Sequence, residues 1–249
     1  MKNVLCTLGI LAAALCALST AAQASVVVAG TRVVFSAKQG ETTVRLTNDN
    51  DEPALVEAWV DTGNVNSSPD SANAPFLITP PLFRMDPHKD QSLRILYVQG
   101  KQMLPSDRES LFWLKVLEVP PKPSGAQYAD KNYLQIALRS RLKLFYRPAG
   151  LPGDAAKAPE QLNFKIAATG KNVAVMVHNP TPYYITITQL SLGAGKSPIA
   201  GASGMVAPFG ELRLPLKGVA IMPAVGSAIS FTTINDYGAD NTHKGVIAQ

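Results

Sequence analysis

Cysteine is almost missing from this chain. There are two, Cys6 and Cys16, and both fall in the first 24 residues. Without that segment the protein has no thiol and no disulfide, which excludes cysteine catalysis and cysteine-held metals. Histidine is nearly as scarce. His88, His178 and His243 stand alone, none at zinc-site spacing from another, so no metal is expected. Charged residues make up 16 %, below the roughly one quarter of ordinary soluble domains. The net charge of +5 comes from 23 basic and 18 acidic residues spread along the sequence, so composition asks for no nucleic-acid partner. Past residue 18 no apolar run is long enough to span a bilayer, and no membrane-embedded segment is expected.

Phosphate-loop and nucleophile motifs are also absent. Gly193-Ala194-Gly195-Lys196-Ser197 lacks the glycine a phosphate loop needs at position 190, where Leu190 stands, and reads as a hairpin turn. Gly201-Ala202-Ser203-Gly204 is followed by Met205, so it is no nucleophile elbow. Nothing nominates a carboxylate pair for acid/base work. No enzyme and no cofactor are expected.

What is present begins with a leader. Lys2, an apolar stretch over 4–18 and Ala22-Gln23-Ala24 form a secretory signal peptide over residues 1–24. Beyond it the dominant hydrophobic period is two. Candidate strands fall at 26–35, 42–48, 54–62, 76–79, 91–98, 111–119 and 133–147, separated by turn-rich segments such as Asn48-Asp49-Asn50-Asp51. Seven short strands at this spacing match an immunoglobulin-like sandwich. Ser106-Asp107-Arg108-Glu109 fits a capping box and predicts one helical turn. The stretch 149–159, with Gly150, Pro152, Gly153 and Pro159, reads as a domain boundary. Strands then recur at 162–167, 173–179, 184–192, 211–216 and 228–235. The expectation is an all-β protein with an N-terminal domain over 25–148 and a C-terminal β-sandwich over 149–249.

The stretch from Tyr133 to Arg147 is the informative one. Leu134, Ile136 and Leu138 alternate with Gln135, Ala137 and Arg139, and about 15 residues is long for a strand. Two readings stand. The alternating apolar residues face their own core, which is what such a pattern usually means. Alternatively the strand is an edge that pairs with another chain by strand addition.

Six pieces in this order resemble the periplasmic chaperones of chaperone–usher pilus assembly. They are Thr31-Arg32-Val33-Val34-Phe35, Pro80-Pro81-Leu82-Phe83-Arg84, and Leu104-Pro105-Ser106-Asp107-Arg108-Glu109-Ser110-Leu111-Phe112-Trp113. They continue with Leu142-Lys143-Leu144-Phe145-Tyr146-Arg147-Pro148, Asn179-Pro180-Thr181-Pro182-Tyr183-Tyr184 and Ile234-Asn235-Asp236-Tyr237-Gly238. The resemblance covers essentially the whole chain after the leader. It implies two immunoglobulin-like β-sandwich domains arranged at an angle with a cleft between them, working in the periplasm. Its implied partners are pilus or fimbrial subunits and an outer-membrane usher. On this resemblance Leu134, Ile136 and Leu138 are lent to an incomplete subunit by donor-strand complementation. Arg32 and Lys143 hold the subunit's C-terminal carboxylate, and Glu109, Arg147 and Asp236 form an interdomain ion-pair network. An exposed apolar strand also implies self-association of the free protein. The competing class is a secreted β-sandwich that binds or hydrolyses carbohydrate. It would need converging acids or a metal cluster.

Two features set this chain apart from the pattern. Lys115 stands where the family usually has Asn, and Ala239 where a second glycine is common. The connection over 122–133 is short, which by analogy points to rod-like pili. Lys143 lies five residues from Leu138, so strict alternation puts the two on opposite faces unless a bulge intervenes.

Overall fold

The computed structural model describes residues 26–100, 103–124, 131–169, 172–193, 199–216 and 223–249. The expected leader and the hairpin tip at 194–198 lie outside these. Ser191↔Ala200 and Leu192↔Ile199 pair antiparallel on either side of that tip.

The first sandwich has two sheets. One is ordered β1 (Val26–Val28), β3 (Glu41–Asn48), β7 (Asp90–Tyr97), β5 (Phe76–Thr79). The other is ordered β2 (Arg32–Ser36), β9 (Leu138–Arg147), β8 (Ser110–Val119), β4 (Ala54–Asp61), β6 (Leu82–Met85). Period-two alternation drives both. Val44 and Leu46 on β3, Leu93 and Ile95 on β7, Leu114 on β8 and Leu144 on β9 all point inward to one core. Phe76 packs edge to face against this core, its ring centroid 5.3 Å from that of Phe35 and 5.0 Å from that of Phe112.

Three expectations need correction here. The stretch 26–35 is two strands in two sheets. Gly30, at φ +87, turns the chain from β1, antiparallel to β3, into β2, parallel to β9. Ser106–Glu109 forms a bend without a helix, because Glu109 is drawn into a contact with the second domain. The stretch 133–147 is strand only from Leu138. The β8–β9 ladder ends at Glu118↔Leu138, and two pairs further on Pro120 has no N–H to offer.

The second sandwich pairs β10 (Asn163–Thr169), β11 (Asn172–His178) and β15 (Glu211–Pro215) in one sheet. Its other sheet is β13 (Ile199–Ala200), β12 (Ile185–Leu192), β16 (Ala228–Ile234) and β17 (Asp240–Val246), with β14 (Gly204–Val206) also on β12. A separate core of Phe164, Val175, Val177, Ile187, Leu214, Ile229 and Phe231 lies between them. Strand β17 escaped the sequence reading because Asp-Asn-Thr-His-Lys-Gly-Val carries no apolar alternation. As an edge strand it buries little. No helix among the described residues is long and apolar enough to cross a membrane.

Candidate interdomain and strand-edge site

β9 alternates without a bulge: its register with β8 is continuous from Ser110↔Tyr146 to Glu118↔Leu138. Leu142 and Leu144 therefore face the first core, while Arg139, Arg141, Lys143, Phe145 and Arg147 share the outer face. Lys143 is thus on the face opposite Leu138.

Lys143 sits beside Arg32, its partner in the parallel β2–β9 register. Two cations side by side need acceptors, and the second domain supplies them. Arg32 Nη1 donates to the carbonyl of Ile234 at 3.0 Å, and Lys143 Nζ to Thr186 Oγ1 at 3.3 Å. Among the described residues neither pairs with a carboxylate. Burial lowers the Lys143 pKa, and the charge of Arg32 lowers it further. Burial also lowers that of Arg32, opposed by Asp236 and Glu109. Arg32 Nε is buried and has no hydrogen-bond partner. The pair places two positive charges side by side at the domain boundary.

Arg147, two turns of the pleat further on, is fully engaged. Its Nε donates to Glu109 at 2.7 Å, and its Nη1 and Nη2 grip Asp236 at 2.7 and 2.9 Å. Asp236 lies in the turn between β16 and β17, so the bond crosses the domain boundary. Glu109 crosses it twice more, accepting the N–H of Tyr184 at 2.8 Å and donating its own to Pro182 O at 2.9 Å. The loop that presents Pro182 and Tyr184 is shaped by Asn179. That buried amide donates to Tyr183 O and Ala207 O and accepts from Thr181. Burial pushes the Glu109 carboxyl up, against the pull of Arg147 and the Tyr184 N–H. On Arg147 burial is outweighed by Asp236 and Glu109, and its pKa rises. Gly238, at φ +85, completes the contact. A Cβ there would meet Thr31 Oγ1 at 2.5 Å. A cavity of about 430 Å³ lies between the domains, lined by Arg32, Glu109 and Arg147 from one and Tyr184, Asp236 and Tyr237 from the other.

Leu134, Ile136 and Leu138 are 84, 60 and 52 % exposed. Their own sandwich does not bury them. The edge beside them is open too, because β2 joins β9 only from Lys143 onward, leaving Leu138–Leu142 paired with β8 alone among the described strands.

Sequence reasoning missed Thr186, whose hydroxyl carries no motif, and Gln135, whose amide donates to Pro120 O at 2.6 Å. It flagged Lys115 without placing it. Lys115 is fully buried, pairs with Asp61 at 2.8 Å, and donates to Asn64 O, Val65 O and Ser67 Oγ. No group of three His, Cys, Asp or Glu that could hold a metal occurs among the described residues.

Comparison with known proteins gives the same organisation. Residues 25–152 match the model of the pili and flagellar-assembly chaperone PapD N-terminal domain, and residues 157–245 that of the pili assembly chaperone PapD C-terminal domain. The chaperone protein FimB/FhaD of Bordetella pertussis is 44 % identical over 240 residues, 95 % of this chain and 94 % of that protein. The crystal structure of the YadV chaperone superposes with a TM-score of 0.76 at 34 % identity, covering 90 % of this chain and all of that one. The Salmonella enterica SafB chaperone, solved in complex with the SafA pilin, matches with a TM-score of 0.73 at 29 % identity, covering 92 % and 99 %. The chain belongs to the two-domain, immunoglobulin-like family of pilus-assembly chaperones.

Proposed function

We propose that this chaperone completes unfinished fimbrial subunits by strand addition in the periplasm and hands them to an outer-membrane usher. Its work is binding, without catalysis or cofactor. On this reading residues 1–24 direct export, 25–148 form the subunit-binding domain and 149–249 the second. The observation that carries it is a coincidence of place. The exposed Leu134, Ile136 and Leu138, the open edge of β9 at 138–142 and the Arg32–Lys143 pair follow in succession along β9 and its lead-in.

A subunit strand continuing the line of β2 would run parallel to β9. Its C-terminal carboxylate would then arrive beside Arg32 and Lys143. Leu134, Ile136 and Leu138 would enter the subunit's groove, each contributing roughly 1.5–3 kcal/mol if fully buried, before the cost of association. The carboxylate fixes register, because a one-residue slip turns every apolar side chain outward. Glu109, Arg147 and Asp236 hold the domain angle that keeps Thr186 and Ile234 against the cations. The same exposed strand favours self-association when no subunit is bound.

The test is Lys143→Ala with a subunit co-expressed in the periplasm. The expected result is loss of the co-purified subunit with an unchanged melting temperature. Normal recovery of subunit overturns the anchoring role.

A further inference from the structure

We infer that Gln135 is a positioning residue that keeps the exposed segment 131–137 extended and ready to pair, an inference that rests on the strand-addition reading above. The need arises from Pro120. Extending the β8–β9 register by two pairs sets Pro120 opposite Ile136. An ordinary residue at 120 would both accept and donate a ladder bond there. Pro120 can only accept. The ladder accordingly stops at Leu138.

Gln135 takes the acceptor that is left, its Nε2 donating to Pro120 O at 2.6 Å. Among the described residues this is the one hydrogen bond tying 131–137 to the rest of the molecule. A side chain makes it, so it pins the segment next to β8 without consuming the segment's backbone groups. Those groups stay available for an incoming strand. Ordering a free backbone costs about 1–2 kcal/mol per residue, so a segment already tethered meets its partner with part of that cost met before the encounter. The consequence is kinetic: the bond favours association and has little influence on a complex whose strand is held by the partner.

The test measures Gln135→Ala, Gln135→Lys and Gln135→Glu as full chains. The probe is a synthetic 12-residue peptide of alternating valine and threonine with a free C-terminal carboxylate. Rapid-mixing fluorescence gives its rate constants, and amide hydrogen exchange reads residues 133–137 without peptide. Gln135→Ala is expected to slow association by about three- to tenfold, the range of one net hydrogen bond, with dissociation and melting temperature unchanged and exchange faster. Gln135→Lys, which still carries a donor, is expected to keep most of the association rate. Gln135→Glu, an ionised acceptor facing a carbonyl, behaves like the alanine variant. Unchanged exchange, or an association rate equal to or above that of the native chain in Gln135→Ala, overturns the inference. The native chain separates it from the reading beneath. If the native chain fails to bind the peptide, strand addition itself fails. If it binds while Gln135→Ala is silent, the tether alone is refuted.

Discussion

Replacing Lys115 by methionine isolates the most deeply buried charge in the first domain. Lys115 and Asp61 have side-chain exposures of 0 and 1 % and lie 2.8 Å apart. The ammonium also holds two carbonyls of the loop after β4, at Asn64 and Val65, while Asp61 accepts from Ser67 and from the N–H of Gly63. Lys115→Met keeps the volume and leaves a buried carboxylate without its cation. The expected loss is about 3–5 kcal/mol, roughly 10–20 °C in the first domain's unfolding midpoint. The sign of the pH dependence follows from Asp61. Burial alone would push its carboxyl up, but the bonds from Lys115, Ser67 and Gly63 outweigh that and hold it below its ordinary value. In the native chain the pair's stabilisation is therefore present above the unfolded carboxylate range, near pH 4, and fades as pH falls through the lower folded value. In Lys115→Met burial loses its main opponent. The Asp61 pKa rises, and the penalty shrinks on acidification as the carboxyl takes up a proton. Urea unfolding at pH 7.5 and pH 4 measures both. A loss under 1 kcal/mol at pH 7.5, or a loss of the same size at pH 4, refutes the reasoning. The double variant Asp61→Asn/Lys115→Met is expected to recover most of the stability, because no charge is then left unpaired.

Two further outcomes follow from the site. Ile136→Glu alters a side chain 60 % exposed, so its unfolding free energy should stay within about 0.5 kcal/mol of native while subunit recovery from periplasm collapses. A large stability loss would return Ile136 to the domain's own core. Arg147→Ala removes three charge-assisted bonds and strands the buried Glu109. It is expected to cost about 2–5 kcal/mol and to widen the distribution of domain angles seen by small-angle X-ray scattering. An unchanged scattering profile would show that the interdomain bonds do not set the angle.

The two sandwiches were legible because their strands repeat with period two and their turns are marked by Asn, Asp, Gly and Pro. What escaped was set by tertiary context. No local pattern tells that the valines of β1 and β2 belong to different sheets. Only Gly30 hints at it, and a glycine in a strand has several meanings. The shortened β9 was readable in principle from Pro120, had the register with β8 been known. Thr186 reaches Lys143 from the other domain, across 43 residues of sequence. Lys115 was noticed as a departure from Asn, yet its partner Asp61 lies 54 positions away, and sequence spacing gives no reason to join them.

The five-residue spacing between Leu138 and Lys143 has a geometric basis. With β9 continuous, residues of one parity face the sandwich interior and the other parity faces the cleft. Leu142 and Leu144 fill the protein's own core, and the same parity upstream gives Leu138, Ile136 and Leu134. On the proposed reading one face of a single strand serves two cores in succession: its own, then the subunit's. A terminal carboxylate cannot enter either core, because an ionised group there would be desolvated without a partner. Its cations must therefore stand on the other parity, at the point where the protein's own neighbour, β2, takes over the edge. Lys143 meets both conditions, being odd in parity and the first residue of β9 to pair with β2. Any even spacing from Leu138 would have pointed the lysine into the interior beside Leu144, where burial would strip its charge.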